Sequence, residues 1–238
     1  LRDLCKHAEP IAETLARSEL TQARTELQKI VGRDTSNLNP EGVARGAVES
    51  VAENFVDGVL SPLFWYSLVA VFSHVFGCPA PAAAGTVGML AFKTISTLDS
   101  MVGYRSKHYL LFGRPAARLD ALANILPARL SLLILSIGAV LSGEKAWAGL
   151  KISRRDRLKH LSPNAGHSES FVAGALGIRL GGPTVYQENT VDKPWLGDGD
   201  EEVGPQHIRR CCRLIYRSSW VAVLLFIATL GIFSIVFP

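Results

Sequence analysis

Three carboxylates share one helical stripe in the segment Val48-Glu49-Ser50-Val51-Ala52-Glu53-Asn54-Phe55-Val56-Asp57-Gly58. Glu49, Glu53 and Asp57 stand at i, i+4 and i+8, a spacing that stacks them on one face. Like charges so placed repel and weaken an isolated helix. A cation, a basic partner or a raised pKa must relieve them. A solvated acidic face is the plainer explanation, but here the stripe runs straight into an apolar segment, where ionisable groups are costly. That cost favours a functional role. Oxygen-only ligands suit magnesium, typically held by one or two carboxylates together with substrate phosphates.

Other polar groups sit at the ends of apolar runs. Ala91-Phe92-Lys93 to Asp99 and Tyr104 closes a hairpin that the stripe opens. Two crossings return the chain to its starting side, so Lys93 and Asp99 should face the acidic cluster. Lys93 either snorkels to the interface or binds phosphate as a point charge. Asp120 and Asn124, at i and i+4, put a second oxygen-bearing pair on one helix face. Ser162-Pro163-Asn164-Ala165-Gly166 leads into a helix whose first N–H groups are free for an anion or an ordinary cap. Asp192-Lys193-Pro194-Trp195-Leu196-Gly197-Asp198-Gly199 is a turn with one cation and two acids. No Walker A loop, GxGxxG, HExxH or GxSxG occurs.

The elements that position these groups are mainly helical. Residues 4–31 carry Leu4, Ala8, Ile11, Leu15, Ala23, Leu27 and Ile30 at helical spacing, predicting one amphipathic helix. Asn39 is the expected N-cap of the next helix, with Pro40 at its first position. Strand-like alternation is absent. From Gly58 to Phe92 there is no Asp, Glu, Lys or Arg, and from Ser218 to Pro238 no charge at all. A crossing needs roughly 20 apolar residues, so the second run fits one crossing. The first, broken at Gly77-Cys78-Pro79-Ala80-Pro81, fits two, near 59–76 and 81–98. Leu130–Gly143 is shorter and suits a core helix, a re-entrant segment or a span. The fold expected is a polytopic integral membrane protein with a helical hairpin and a C-terminal transmembrane helix.

Hydrophobic residues make up 48% of the 238 and the net charge is +4, with the basic residues clustered in short loops. Residues 103–118 carry Arg105, Lys107, Arg114 and Arg118 without an acid, and 151–160 carry five basic residues against Asp156 alone. The positive-inside rule accounts for such loops and places them in the cytoplasm; attraction of an anionic substrate is the sharper explanation. Cys5, Cys78, Cys211 and Cys212 show no metal-ligand spacing and read as reduced thiols. Nucleic acid is not an expected partner.

Together, these segments make the chain resemble the CobD/CbiB family of cobalamin biosynthesis. The resemblance rests on VGRDT (31–35), VESVAENFVDGVLSPLFWY (48–66), AFKTISTLDSMVGY (91–104), ARLDALANILPARL (117–130), SPNAG (162–166), GIRLGGP (177–183) and KPWLGDG (193–199), in the family's order. It implies a single membrane-embedded domain over 1–238, short of the family's N-terminal hydrophobic region. Ser96 stands where the family usually has asparagine, Ala121 where a second acid is common, and His167 where an aromatic is common.

The resemblance further implies an ATP- and magnesium-dependent amide ligation joining adenosylcobyric acid, a corrinoid, to aminopropanol or its phosphate. On this expectation Glu49, Glu53 and Asp57 hold magnesium and Asp99 completes the catalytic cluster. Arg33, Asp34, Lys93, Asp120, Asn124, Asn164, Lys193 and Asp198 bind substrate or phosphate. The expected location is the inner membrane, with the site on the cytoplasmic face. Since basic loops flank 125–143 on both sides, that stretch is expected to be re-entrant or packed within the protein, so that all polar segments meet at one face. A transporter of an anionic or corrinoid solute is the competing reading, because charges beside Pro- and Gly-broken membrane segments also serve transport.

Overall fold

The computed structural model describes residues 2–32, 34–102, 113–186, 189–191, 193–199 and 202–236. Arg33, Arg105, Lys107 and Asp192, which figure in the sequence reading, lie outside the described residues.

The N-terminal region forms two helices, α1 (Arg2–Ala16) and α2 (Leu20–Gln28), where the periodicity predicts one. Ser18 adopts a positive φ of 61° between them, and this left-handed residue turns the chain. The apolar positions still serve one core: Ala8, Ile11, Ala23 and Leu27 are fully buried. Helix α3 (Pro40–Phe55) starts as expected, the Asn39 side chain accepting the Gly42 N–H at 2.8 Å.

Helix α3 continues through a π-turn, Val56–Leu60, into α4 (Ser61–Val75). Pro62 has no N–H for the Gly58 carbonyl, and its ring crowds that carbonyl. The chain relieves this by widening the turn, and the Ser61 N–H bonds back to Val56, an i to i−5 contact. Helix α5 (Pro81–Val102) folds back on α4 as a hairpin. The two helices approach closely: a Cβ on Gly85 would meet the Tyr66 carbonyl oxygen at 2.8 Å.

Helix α6 (Arg114–Ala123) leads to α7 (Ile125–Ser142), then α8 (Ala146–Asp156) and α9 (Ala165–Leu176). Helix α7 is about 27 Å long, with Ser131, Ile134, Leu135 and Gly138 buried and Leu133, Ile137, Val140 and Leu141 exposed. It starts beside the acidic stripe, where Ser61 Oγ donates to Asn124 Oδ1. The chain then returns through α8, which lies antiparallel to α9: the Lys145 N–H reaches the Ala175 carbonyl at one end and Ser153 Oγ the His167 carbonyl at the other. The Asn164 amide closes the circuit on Ala121. This out-and-back path brings SPNAG to the same end as the stripe. Every residue of α9 is buried, the polar run His167-Ser168-Glu169-Ser170 included.

Residues 180–196 hold four short strands, β1 (Leu180–Gly181), β2 (Thr184–Tyr186), β3 (Asn189–Val191) and β4 (Trp195–Leu196). They pair antiparallel as β1–β4 and β2–β3. The sequence reading expected no strand; two- and three-residue ladders are too short to show a period of two. The last helix, α10 (Pro205–Val236), packs its first half on α1, α3 and α7. There Arg210 meets Glu144 at 2.6 Å and Arg209 meets Glu9 at 2.9 Å.

Among the described residues, three helices are long and apolar enough to cross a membrane: Pro40–Val75, Ile125–Ser142 and Pro205–Val236. Helix α5, expected to cross at 81–98, is not one of them. Lys93, Thr94, Ser96 and Thr97 lower its apolarity, and Lys93 and Ser96 face a polar cavity. Rows of exposed apolar side chains, such as Trp220, Leu224, Ile227 and Ile235 on α10, suit a lipid-facing surface. The four cysteines are free thiols.

Candidate active site

The end of the bundle where α3, α5, α6 and the strand region converge holds a cavity of about 540 Å3. Glu49, Glu53, Asp57, Lys93, Asp99, Asp120 and Lys193 all line it. Helix α3 supplies the stripe, and the α4–α5 hairpin returns Lys93 and Asp99 to it. The short strands carry Lys193 in from above. The Gly181 N–H donates to Glu49 Oε1 at 2.8 Å, fixing the strand region over the stripe. Ile30, Val31 and Gly32 form part of the rim, held down where Ser50 Oγ donates to the Ile30 carbonyl at 3.1 Å.

A smaller lobe of about 260 Å3 adjoins it and shares Glu53, Asp57, Asp99 and Asp120 with the larger one. Its other walls include Asn124, Ser162 and Asn164. Asn124 Nδ2 donates to Asp120 Oδ2 at 3.1 Å, while Asn164 Nδ2 donates to the Ala121 carbonyl at 2.7 Å. Burial raises the pKa of Asp120, and the Asp99 charge adds to it; the bond from Asn124 and the Lys93 charge oppose them.

Two residues expected to bind substrate stand elsewhere. Asp34 is exposed and accepts from the Ser36 N–H and Oγ, both at 2.9 Å, so it closes a local turn. These bonds hold its carboxyl below the usual range. Asp198 pairs with Arg155 at 2.5 and 2.7 Å on the surface and lines neither cavity.

Arg155 also grips Asp156, whose carboxylate is fully buried and receives Lys159 Nζ at 2.7 Å and the Gly197 N–H at 2.9 Å. Burial alone would raise this carboxyl; the bonds from Arg155, Lys159 and Gly197 outweigh it and hold it well below the usual range. The clamp anchors the 193–199 turn, and with it Lys193, to α8.

The lining residues that escaped the sequence reading of the site include the polar side chains of Ser50, Asn54, Ser96, Ser100, His160 and Glu169. Ser50 and Asn54 each follow a stripe carboxylate by one residue and sit on the adjacent helix face. Glu169 had a signal, the one acid in a helix that, His167 apart, is made of small and apolar residues. His160 Nδ1 meets both the Ser162 N–H at 3.0 Å and the Ser162 carbonyl oxygen at 3.1 Å, and Nε2 faces Glu169 at 3.6 Å. Burial lowers the His160 pKa. His167, on α9, has neither ring nitrogen hydrogen-bonded. Its burial, with Arg157 and Arg129 nearby, lowers its pKa from 6.5 to about 4.

The donor set of the larger cavity is oxygen-rich and suits a hard divalent cation. Among the described residues, no three His, Cys, Asp or Glu side chains converge closely enough to hold a metal ion. A magnesium ion here would be held by one or two carboxylates, with the substrate's oxygens completing its shell.

Fold and site together define a mainly α membrane protein with a carboxylate-lined cavity at one end of its bundle. The chain belongs to the CobD/CbiB family: the model of the CobD/Cbib protein family matches residues 1–215. It is 43% identical over 231 residues to the cobalamin biosynthesis protein CobD of Desulfotalea psychrophila, covering 95% of this chain and 69% of that protein. It is 45% identical over 227 residues to the cobalamin biosynthesis protein CbiB of Salmonella arizonae, covering 95% and 66%. To CobD of Citrobacter koseri the identity is 46% over 227 residues, again 95% and 66%. The chain thus spans about two thirds of the length of these relatives. No solved structure bears a significant likeness to it.

Proposed function

We propose that this chain acts in cobalamin biosynthesis as an ATP-dependent ligase, joining a carboxyl group of adenosylcobyric acid to aminopropanol or its phosphate. The observation that supports this best is the gathering of six carboxylates and two lysines around one cavity, in a chain whose relatives are named cobalamin biosynthesis proteins. A carboxylate does not react with an amine near neutral pH until one oxygen becomes a leaving group. Phosphorylation by ATP supplies that group, and the amine then displaces phosphate.

Such chemistry is governed by positioning and charge. Lys93 and Lys193 neutralise phosphate oxygens at the larger cavity. Glu49, Glu53, Asp57 and Asp99 carry negative charge to the same place, where one or two of them would hold magnesium together with the substrate's oxygens. When bound, the ion supplies charge neutralisation at the transferred phosphoryl group. Glu49 is oriented by the Gly181 N–H. At about 540 Å3 the cavity takes a reacting side arm with its phosphate, and the corrin ring rests at its mouth. The basic segment 151–160 at the same end supports a cavity on the cytoplasmic face of the inner membrane, where ATP is available.

Purified full-length protein, supplied with adenosylcobyric acid, ATP, magnesium and either aminopropanol or its phosphate, should yield the amide by mass spectrometry with release of ADP. No amide with either amine, from folded protein, overturns the proposal.

A further inference from the structure

We propose that the smaller lobe binds the amine substrate by its ammonium group, held by the carboxylate of Asp120 and the side-chain oxygen of Asn164. This rests on the ligase reading, which supplies an amine, but the lobe argues for such a ligand by itself. Asn164 is 7% exposed. Its Nδ2 is occupied by Ala121, while its Oδ1 is buried without a hydrogen-bond partner. Asp120 Oδ1 is in the same condition. Both orphan atoms are acceptors, so what they lack is a donor. Asn124 is not that donor: its Nδ2 serves Asp120 Oδ2 and its oxygen accepts from Ser61.

The lobe carries Glu53, Asp57, Asp99 and Asp120, and among the described residues no basic side chain lines it. A ligand that brings its own positive charge therefore suits this lobe. A divalent metal draws its ligands to about 2.0–2.6 Å, and among the described residues no three His, Cys, Asp or Glu side chains converge to form such a cage. A primary ammonium offers three N–H donors at roughly 2.9 Å and reaches acceptors spread more widely. A volume of about 260 Å3 admits a short amine and excludes a macrocycle.

The shared wall of Glu53 and Asp57 sets the amine beside the larger cavity. The ammonium gives one proton to a wall carboxylate. Its nitrogen then forms the bond to the acyl carbon as the carbon–oxygen bond to phosphate breaks. The departing phosphate takes the second proton.

Calorimetry on the full-length protein in nanodiscs tests the assignment, with 1-amino-2-propanol as probe and 1,2-propanediol as its neutral isostere. The amine should bind at least tenfold more tightly than the diol. Asp120→Asn and Asn164→Leu should each weaken amine binding tenfold or more, and Asn164→Asp should retain it. Equal binding of amine and diol overturns the proposal, and so does unchanged amine binding in folded Asp120→Asn and Asn164→Leu. Competitive displacement of the amine by magnesium, with magnesium affinity lost in both variants, makes the lobe a metal site instead. Ligation that proceeds while both variants bind amine normally sinks this inference alone. Amine binding as expected, without ligation, sinks the ligase reading alone.

Discussion

The Asn164 side-chain amide donates to the carbonyl of Ala121 across 2.7 Å, joining residues 43 positions apart. This bond sets the start of α9 against the end of α6, so SPNAG and the Asp120–Asn124 pair share one lobe. Asn164 therefore donates to the fold through Nδ2, while its Oδ1 is buried without a partner.

Replacing Glu53 by Gln or Asp57 by Asn preserves shape and removes charge from the wall common to both lobes. Amide formation should fall by about a hundredfold or more in each, with membrane insertion unchanged. Product yield and membrane fractionation on the same preparation check this. Full activity in both variants removes them from the machinery.

Asp120→Asn should trade activity for stability. The folded pKa of Asp120 is raised, so the folded state binds more protons than the unfolded chain above the ordinary carboxylate value. Stability then falls as pH rises through that window. Removing the charge should raise the thermal midpoint at pH 7, with the gain vanishing near pH 4. A midpoint that drops at pH 7 contradicts the assignment.

Asp156→Ala should cost about 2–4 kcal/mol. It strands the Gly197 N–H and unpairs Arg155 and Lys159, although both of those heads still reach water. Asp198→Ala breaks only an exposed pair and should cost under about 1 kcal/mol. Unfolding in denaturant measures both. Because Lys193 rides on this turn, Asp156→Ala should also raise KM for the phosphate-bearing substrate, a change that loss of stability alone does not produce.

His167→Phe should stabilise the protein. It removes two buried ring nitrogens that lack partners, each a cost of about 1–3 kcal/mol when left unsatisfied. The wild-type histidine is neutral when folded, with its pKa lowered from 6.5 to about 4. Stability is therefore intact above 6.5 and lost as pH falls from there toward 4. Thermal midpoints across that range should show a shallower acid slope in the phenylalanine variant.

Much of the site was written in local spacing. The i, i+4, i+8 rule put Glu49, Glu53 and Asp57 on one stripe, and the hairpin turn at 77–81 brought Lys93 and Asp99 back to it, although α5 is not one of the helices apolar enough to cross a membrane. Asp34 and Asp198 were misplaced because their partners, Ser36 and Arg155, compete for them in ways that a list of acids does not reveal. His160 and Glu169 were missed for the opposite reason: nine residues apart, they meet only once α8 and α9 are antiparallel. The break at Ser18 and the two-residue strands lie below the resolution of any periodicity, which needs several turns or alternations to register.

The π-turn at Val56–Leu60 acts as a phase setting. One surplus residue there offsets α4, and the α5 hairpin docked on it, by about 100° from the bearing that an uninterrupted α-helix would give. Lys93 and Asp99 are thus aimed by a count of residues in a different helix. Excising Gly58, whose surroundings are open, would rotate the hairpin by about that angle. Both groups would then point away from the stripe, with every cavity-lining side chain still present in the sequence.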